Sequence, residues 1–577
     1  MNRISYGRFL AIFGTIIVLN FTFFTFAAAQ DLHMVLQKRN VHPIMTGCLK
    51  KLEGEYKKGA IAARLFAQSR NININDQDKI TVYMMSKPGT TVDEMSLQAL
   101  GAEIIKSTDN VSKVKAPINM LTTIADNVKG VSFIKMPDKL IPVDVQSQGV
   151  GLTGAPSYHS AGYTGAGVNV AIIDVGFDNL SSAISNGDLP NSIVKVDCTG
   201  ANCVLSANIG GQEHGTAVAE IVYDMAPGAQ LYLIKVADTL DLLDAKNYSI
   251  NNGIEIINHS LVVVNTNFYD GECWFGNAVC SADDAYANGI LWVNAAGNEA
   301  TQHYEAIFTD SDFDGWHNVS GSYENIEIFA FAGDTINVCL TWDAWPTTNQ
   351  DYDLYLLDSP LDPLNPNPVA WSTDIQAGTQ PTEEINYSVP VTGTYYLAIF
   401  QLPGATSDHR LEVYSVFHDL TPAVASSSLL SPADAVGAMA VGAINQTLWA
   451  TGPQEYYSSR GPTNDGRTKP DICGPDFVSS YIYNGWFAGT SAASPHVAGA
   501  AALILHKNPT YSVSQLWNAL TSSAIDMGSC GKDNIYGYGR LNLGGGGGSN
   551  CVSFGGGGSG GGGCFIDTAV YGSPMEP

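Results

Sequence analysis

Basic residues are scarce in this sequence, where 28 Lys and Arg stand against 55 Asp and Glu. This scarcity argues against nucleic acid as a partner, because phosphate binding depends on Lys and Arg. The sequence has no Cys-x-x-Cys pair, which argues against a zinc site, and after residue 29 it has no apolar run long enough to cross a bilayer. Hydrophobic residues make up 45% of the chain, as in globular proteins, and 577 residues predict two or more domains.

The first 29 residues have the organisation of a signal peptide. Arg3 and Arg8 provide a positively charged start, and residues 9–26 are largely apolar. Ala27 to Ala29 then supply the small residues of a cleavage site. A retained membrane anchor is the alternative, but the position of the small residues directly after the apolar run favours cleavage. We therefore expect a secreted or cell-surface protein with no transmembrane segment after cleavage.

Charge is divided unevenly along the rest of the chain. Residues 30–145 carry 16 Lys/Arg and 12 Asp/Glu, whereas residues 146–577 carry 10 and 43. These two parts have net charges of opposite sign, so they should attract each other.

The ten cysteines include two closely spaced pairs, Cys198 with Cys203 and Cys273 with Cys280. Export to an oxidising compartment permits disulfides, so we expect each pair to close a small loop.

Residues 79–135 alternate between strand and helix patterns. Strands are predicted at 79–85, 103–105, 111–115 and 131–135, with helices at 91–100 and 118–127. This βαββαβ order is that of a ferredoxin-like unit. Residues 137–151 are extended and polar, and they suit a linker.

Beyond residue 165 the pattern becomes that of an α/β protein. Short apolar runs at 168–173, 231–236, 254–257 and 290–293 alternate with helical patterns, which predicts a parallel sheet with helices on both faces. Residues 304–419 interrupt this pattern with strand alternation typical of an inserted all-β sandwich or jelly roll. The α/β domain therefore comprises 146–303 and 420–543, and a glycine-rich linker (544–563) and a tail (564–577) follow.

Three polar residues lie at strand ends and helix starts, where α/β domains usually carry functional side chains. Asp174 ends the apolar strand in VNVAIIDVGFD, at the sheet edge that carries functional groups. His214 in EHGTAVAEIV precedes a helix and has the side chain of a general base. Ser491 in GTSAASPHVAGAAALIL opens a helix whose positive end can stabilise an oxyanion, with Pro495 placed in the first turn. Taken singly, a turn Asp, a capping His and a Ser N-cap are the simpler interpretations.

Asn298 in LWVNAAGNEA follows a strand and a glycine turn, and its amide could donate to a developing oxyanion. The chain order Asp, His, Ser is that of subtilisin and differs from the orders in chymotrypsin and the α/β-hydrolases. Together with residues 457–475 (YSSRGPTNDGRTKPDICGP), these blocks resemble the subtilisin-like serine peptidases over residues 150–303 and 420–543.

The resemblance implies a serine endopeptidase that acts on polypeptides and needs no cofactor for catalysis. By this resemblance, Asp174, His214 and Ser491 form a catalytic triad, and Asn298 completes the oxyanion hole. The residues that would line the substrate cleft are Ser260, Leu261, Ala295, Ala296 and Gly297.

The flanking parts carry resemblances of their own. Residues 30–145 are similar to the propeptides of this family, which act as intramolecular chaperones and inhibitors, so we expect autocatalytic cleavage between residues 137 and 151. A permanent accessory domain is the alternative. Charge attraction should make release of the propeptide faster at higher salt. Residues 304–419 resemble the pre-peptidase C-terminal module. The tail, CFIDTAVYGSP and the residues after it, resembles a motif that follows glycine linkers in exported bacterial proteins, and we expect it to be incomplete.

The sequence departs from the family pattern at several places. The His block reads HGTAVAEI where many members have a second His and a Gly, Val175 follows the Asp in place of Thr or Ser, and Cys473-Gly474 replaces a sequence of the Ala-Pro type. None of these changes removes a catalytic group. A catalytically inactive subtilisin-fold binding protein and a surface adhesion protein are nevertheless the two alternative functions.

Asp310, Asp312 and Asp314 in DSDFDG resemble the start of a calcium loop. The twelfth position is Gly321, however, where an EF-hand has a bidentate Glu. A solvated acidic loop is the simpler interpretation, with structural calcium as the alternative.

Overall fold

A computed structural model provides the structure of the chain. It describes residues 45–68, 72–87, 90–108, 110–137, 141–142, 149–274, 276–402, 409–483 and 485–545. The predicted signal peptide, the tail and all but the first two residues of the glycine linker lie outside these residues. Within the described part of the chain, no helix is both long and apolar enough to cross a membrane.

Residues 45–137, here called the N-terminal unit, form a four-stranded antiparallel sheet with helices. Its helices are α1 (Gly47–Lys58), α2 (Ala60–Gln68), α3 (Glu94–Ala99) and α4 (Leu121–Asn127), and its strands are β1 (Lys79–Met85), β2 (Glu103–Ser107), β3 (Val111–Pro117) and β4 (Phe133–Lys135). The strand order is β2-β3-β1-β4. The predicted βαββαβ sequence of elements is present, and β1 has the predicted bounds.

Side chains alternate along β1, so they pack on both faces of this sheet. Ile80, Val82 and Met84 belong to the internal core of the unit. Tyr83 and Met85 face the other way and pack with Leu240, which lies in the next part of the chain.

Strands and helices then alternate up to residue 295. The elements are β5 (Ile141–Pro142), α5 (Val150–Thr153), α6 (Ala155–Ser160), β6 (Asn169–Asp174), α7 (Leu180–Asn186), β7 (Val194–Asp197), β8 (Val204–Leu205), α8 (His214–Met225), β9 (Gln230–Lys235), α9 (Thr239–Asn251), β10 (Ile256–His259), β11 (Leu261–Val262), α10 (Ala278–Ala287) and β12 (Leu291–Ala295).

Residues 303–421, here called the strand-rich segment, contain strands and no α-helix among their described residues. The strands are β13 (His303–Ile307), β14 (Ile326–Ala330), β15 (Thr335–Trp342), β16 (Tyr352–Leu357), β17 (Ala370–Ser372), β18 (Thr382–Ser388), β19 (Gly393–Gln401), β20 (Arg410–Ser415) and β21 (Leu420–Thr421). They form two antiparallel sheets, ordered β13-β20-β15-β18 and β17-β16-β19-β14-β21. Residues of both sheets share one apolar core.

The α/β pattern resumes after the strand-rich segment. Its elements are β22 (Ala438–Asn445), β23 (Ile472–Asp476), β24 (Val478–Ser480), β25 (Gly485–Phe487), α11 (Thr490–Lys507) and α12 (Val513–Ser523). The central sheet has eight strands in the order β23-β22-β12-β10-β6-β9-β7-β8, and every pairing except β7 with β8 is parallel.

Both faces of this sheet are buried, as the near-continuous apolar strands predict. Val170 and Ile172 of β6 belong to one core, which also contains apolar residues of α8 and α11. Ala171 and Ile173 belong to a second core, which contains apolar residues of α9 and α10. The parallel strands therefore bring the ends of β6, β10 and β12 to a common edge, where the candidate site lies.

Candidate active site

Asp174 is the last residue of β6, in the middle of the central sheet, and its side chain is buried. Its Oδ1 accepts a hydrogen bond from the backbone N–H of Val175 at 2.8 Å. Its Oδ2 accepts a hydrogen bond from His214 Nδ1 at 2.8 Å. The carboxylate therefore orients the imidazole ring.

His214 is the first residue of α8, which approaches β6 closely because Gly215 follows it. A Cβ at position 215 would lie 2.7 Å from the Cβ of Asp174 and 2.5 Å from the carbonyl oxygen of Gly176. The His214 ring also packs against Phe487, with their centroids 6.0 Å apart. Glycine at 215 is thus a steric requirement of the contact between Asp174 and His214.

Ser491 is the second residue of α11 and forms a reciprocal pair of hydrogen bonds with Ser260. Ser491 Oγ donates to the Ser260 carbonyl oxygen at 3.0 Å, and Ser260 Oγ donates to the Ser491 carbonyl oxygen at 3.1 Å. Both side chains are buried. The pair joins the start of α11 to the end of β10.

The prediction that Pro495 lies in the first turn of this helix was wrong. Because α11 begins at Thr490, Pro495 is its sixth residue. In a regular helix the N–H of residue 495 would bond the carbonyl of Ser491, and proline has no N–H. The Ser491 carbonyl is therefore available to Ser260 Oγ, and the proline contributes to the link between helix and strand.

Asn298 lies beside the start of α11, with its amide orientation fixed. Its Oδ1 accepts hydrogen bonds from both the backbone N–H and the hydroxyl of Thr490, each at 3.0 Å. Two donors on Oδ1 leave Nδ2 as the free donor of the amide. Gly297 before it has a φ of 109°, and a Cβ there would lie 2.1 Å from Glu299 Oε2, so this turn requires glycine.

The residues predicted to line the substrate cleft lie at the same edge of the sheet. Ser260 stands between β10 and β11, Leu261 begins β11, and Ala295 ends β12. Ala296 donates its N–H to Val441 in β22 at 2.9 Å, and Gly297 donates its N–H to Thr490 Oγ1 at 3.1 Å. The structure therefore joins Asp174 to His214 directly, and it joins the cleft residues Ser260 and Gly297 to the start of α11, where Ser491 lies.

His496, the first of two histidines in α11, is a packed residue. Its Nδ1 lies 2.8 Å from the carbonyl oxygen of Ala492, and burial lowers the pKa of this imidazole to about 4. A neutral ring in this position fits a structural role.

Among the residues that the structure describes, two groups of carboxylates have the spacing of metal ligands, with oxygens within 4.8 Å of one another. Asp310, Asp312 and Asp314 form one, but Asp310 already accepts backbone N–H bonds from Phe313, Asp314 and Gly315. The second group is Asp351, Asp353 and Glu383. This group is not apparent from the sequence, because Glu383 approaches the two aspartates only through the packing of the two sheets.

Three further residues at the site were also missed. Thr490 orients Asn298, Phe487 packs on His214, and Asp476 accepts a hydrogen bond from the Gly489 backbone N–H at 2.7 Å. The only sequence signal for Thr490 was its position between Gly489 and Ser491.

The chain matches the model of the subtilase family, peptidase S8, over residues 165–346 and 373–539. Subtilisin BL of Lederbergia lenta is 37% identical over 121 residues, which are 20% of this chain and 40% of that protein. Subtilisin DY of Bacillus licheniformis is 27% identical over 412 residues, 68% of this chain and 96% of that protein. The chain thus spans less than half of subtilisin BL.

Among solved structures, that of the Clostridium perfringens CspB protease aligns with a TM-score of 0.49 and 17% identity, over 68% of this chain and 96% of that one. Because the family match includes more than half of the chain, this protein belongs to the subtilase family.

Proposed function

We propose that the chain is a secreted serine endopeptidase that hydrolyses polypeptides through Asp174, His214 and Ser491. The observation that carries the proposal is the hydrogen bond of 2.8 Å between His214 Nδ1 and Asp174 Oδ2, with Ser491 as the second residue of α11. Asp, His and Ser are the three groups that acyl transfer by a serine peptidase requires.

In this mechanism Ser491 Oγ turns from Ser260 towards His214 and loses its proton to Nε2 as it attacks the scissile carbonyl carbon. Asp174 stabilises the imidazolium that forms. Asn298 Nδ2 and the Ser491 backbone N–H donate to the oxyanion. The C–N bond then breaks as His214 protonates the leaving amine, and water, deprotonated by His214, releases the acyl group from Ser491.

The N-terminal unit would be a propeptide that occupies the cleft before it is removed. The pairing of Ile141–Pro142 with Leu261–Val262 supports this, because the two segments form an antiparallel ladder in the register Leu261↔Pro142 and Val262↔Ile141. An extended chain bound along a cleft strand is the usual way for a peptidase to hold a peptide. The paired segment also falls within the expected cleavage window, residues 137–151.

Buried ion pairs hold the N-terminal unit on α9. Lys106 Nζ lies 3.1 Å from Asp241 Oδ1 and 2.8 Å from Asp244 Oδ2. Lys113 Nζ lies 2.6 Å from Asp238 Oδ2. The two lysine side chains are only 5% and 8% exposed, so dissolved ions screen these pairs little. The interface thus argues against the strong salt acceleration of release that the net charges suggested.

The remaining parts of the proposal concern location and ions. Export by the predicted signal peptide fits the predicted disulfides Cys198–Cys203 and Cys273–Cys280, which are both formed in the structure. Catalysis by the triad needs no metal, and calcium at Asp310–Asp314 would be structural. The glycine linker and the tail would act after export.

The test is labelling of the full chain with a fluorophosphonate, followed by mapping of the modified peptide and an assay on casein. Labelling should be confined to Ser491 and should be lost in Ser491→Ala. Ser522→Ala, which alters an exposed serine on α12, is the matched control and should label like the wild type. A wild-type chain that is folded but neither labels nor cleaves casein would instead support the inactive binding protein.

A further inference from the structure

Asp476 lies opposite Gly489 at the open end of a β-hairpin. Strands β24 and β25 pair in the register Val478↔Phe487 and Ser480↔Gly485. Two residues further towards the open end, the same register places Asp476 opposite Gly489. Backbone pairing has stopped there, and the Asp476 side chain replaces it, since its Oδ1 accepts the Gly489 N–H at 2.7 Å.

Both oxygens of this carboxylate have partners. Tyr457 donates its hydroxyl to Asp476 Oδ2, and the Asp476 side chain is fully buried. The next residue, Phe477, has a φ of 58°, an uncommon conformation for an aromatic residue. Its ring stacks on Trp486, with 5.3 Å between centroids and 14° between planes. Such a backbone conformation persists only where the surroundings fix it.

The residues that follow Gly489 are held from other directions. Thr490 donates its backbone N–H to Asn298 Oδ1, and Ser491 donates its hydroxyl to the Ser260 carbonyl oxygen. Gly489 itself accepts the Ala492 N–H at 3.0 Å, which starts the helix. Asp476 therefore fixes the strand end of the three-residue turn 489–491, while Asn298 and Ser260 fix its helix end.

We propose that Asp476 is a positioning residue for the nucleophile, which anchors the turn 489–491 to the edge strand β23 so that Ser491 and Asn298 keep their reactive geometry. The proposal rests on the proposed peptidase function. Asp476 acts through the backbone of Gly489 and does not touch the reacting atoms. Its loss should therefore lower kcat and leave KM nearly unchanged, since substrate still binds along β11.

The hydrogen bonds, rather than the charge, carry this role. Burial raises the pKa of Asp476 to about 7, so the neutral form is accessible near neutrality. Asparagine keeps both contacts, because its amide oxygen can accept the Gly489 N–H and its amide nitrogen can donate to the Tyr457 oxygen. Alanine keeps neither.

The experiment compares Asp476→Ala and Asp476→Asn with the wild type in the full chain. The readouts are kcat and KM on casein, the rate of fluorophosphonate labelling, and hydrogen exchange at the Gly489 amide. Asp434→Ala is the matched control, since Asp434 is also a buried carboxylate that accepts a backbone N–H, that of Gly271 at 3.0 Å. The thermal unfolding temperature of each variant shows whether a fall in kcat comes from loss of stability or from displacement of Ser491.

In Asp476→Ala we expect kcat and the labelling rate to fall about 10- to 100-fold with KM within about twofold, the range for a displaced catalytic group. Gly489 exchange should become faster, Asp476→Asn should recover to within about threefold of wild type, and folded Asp434→Ala should keep its kcat. The proposal is overturned if folded Asp476→Ala keeps its kcat, or if Asp476→Asn is as slow as Asp476→Ala. If the wild type neither labels nor cleaves, the proposed peptidase function is wrong, whatever the role of Asp476. In that case, an unchanged rate of hydrogen exchange at the Gly489 amide in Asp476→Ala would separately show that Asp476 does not anchor the turn 489–491.

Discussion

Thr490 donates both its backbone N–H and its hydroxyl to Asn298 Oδ1, each over 3.0 Å. A residue adjacent to the nucleophile thereby sets the direction in which the Asn298 amide nitrogen points. In the proposed mechanism that nitrogen donates to the oxyanion, so the turn that presents Ser491 also orients its electrostatic partner.

The first prediction concerns this donor. Asn298→Asp should lower kcat by about 10²–10³, the loss known from subtilisin when the donor of its oxyanion hole is removed. KM should change little, because the donor acts on charge that develops in the transition state. Steady-state kinetics on casein measures both constants. Asn288→Ala, at an exposed position after α10, is the control and should keep wild-type kinetics.

The second prediction concerns maturation. Ser491→Ala should remain folded and accumulate as an uncut chain, since only Ser491 would cleave the segment that pairs with β11. Wild type should acquire a new N-terminus within residues 137–151. N-terminal sequencing of the active enzyme decides the question. An active enzyme that still begins near Gln30 would make the N-terminal unit a permanent part of the protein.

The third prediction concerns the ion pairs between the N-terminal unit and α9. Lys113→Met leaves Asp238 and Asp241 with one partner fewer, and breaking a buried pair in this way costs about 3–5 kcal/mol. In a Ser491→Ala background, the N-terminal unit of this variant should become sensitive to an added protease. Lys129→Met, at an exposed position of the same unit, should remain resistant. Equal resistance of the two variants, or loss of resistance in the Ser491→Ala parent on raising salt from about 0.1 to about 1 M, would contradict the role of burial.

The fourth prediction concerns Asp351, which belongs to the carboxylate group of Asp351, Asp353 and Glu383. Burial raises the pKa of Asp351 from 3.8 to about 7, with Asp374 adding to the shift. The unfolded chain therefore holds fewer protons than the folded one between these two values, so the free energy of unfolding should decrease as pH rises from about 5 to 7 and level off above. Asp351→Asn should reduce this decrease. Urea unfolding at pH 5, 6, 7 and 8 measures it, and identical slopes in both proteins would show that Asp351 does not titrate in this range.

Sequence patterns predicted the parts of the fold that depend on local periodicity. The strand at 79–85 was predictable because its apolar residues alternate, and β6 was predictable because an uninterrupted apolar run indicates a strand buried on both faces. The contact between Asp174 and His214 was predictable because the order of the motifs along the chain carries information that no single motif has. Asp174 and His214 are 40 residues apart in the chain, and only the motifs connect them.

The contacts that could not be predicted depend on the register of strand pairing and on how distant parts of the chain pack together. The Asp476–Gly489 bond follows from the pairing of β24 with β25, which are strands of three residues each and too short to show a pattern. The pair between Lys106 and Asp241 joins residues 135 positions apart, and net charge alone could not show that it is buried. The position of Pro495 was misjudged because helix ends are set by caps and tertiary contacts as much as by composition.

The strand-rich segment leaves and re-enters the α/β part of the chain at a single point. Thr301 donates its hydroxyl to Asp419 at 2.6 Å across 118 residues, and the Leu420 N–H binds the Thr301 carbonyl oxygen at 2.9 Å. The neighbouring strands β12 and β22 therefore receive chain ends that already lie side by side. A short glycine-containing turn is long enough to connect Thr301 directly to Leu420. Removing or replacing the strand-rich segment in this way would leave the register of Val293 with Met439 unchanged.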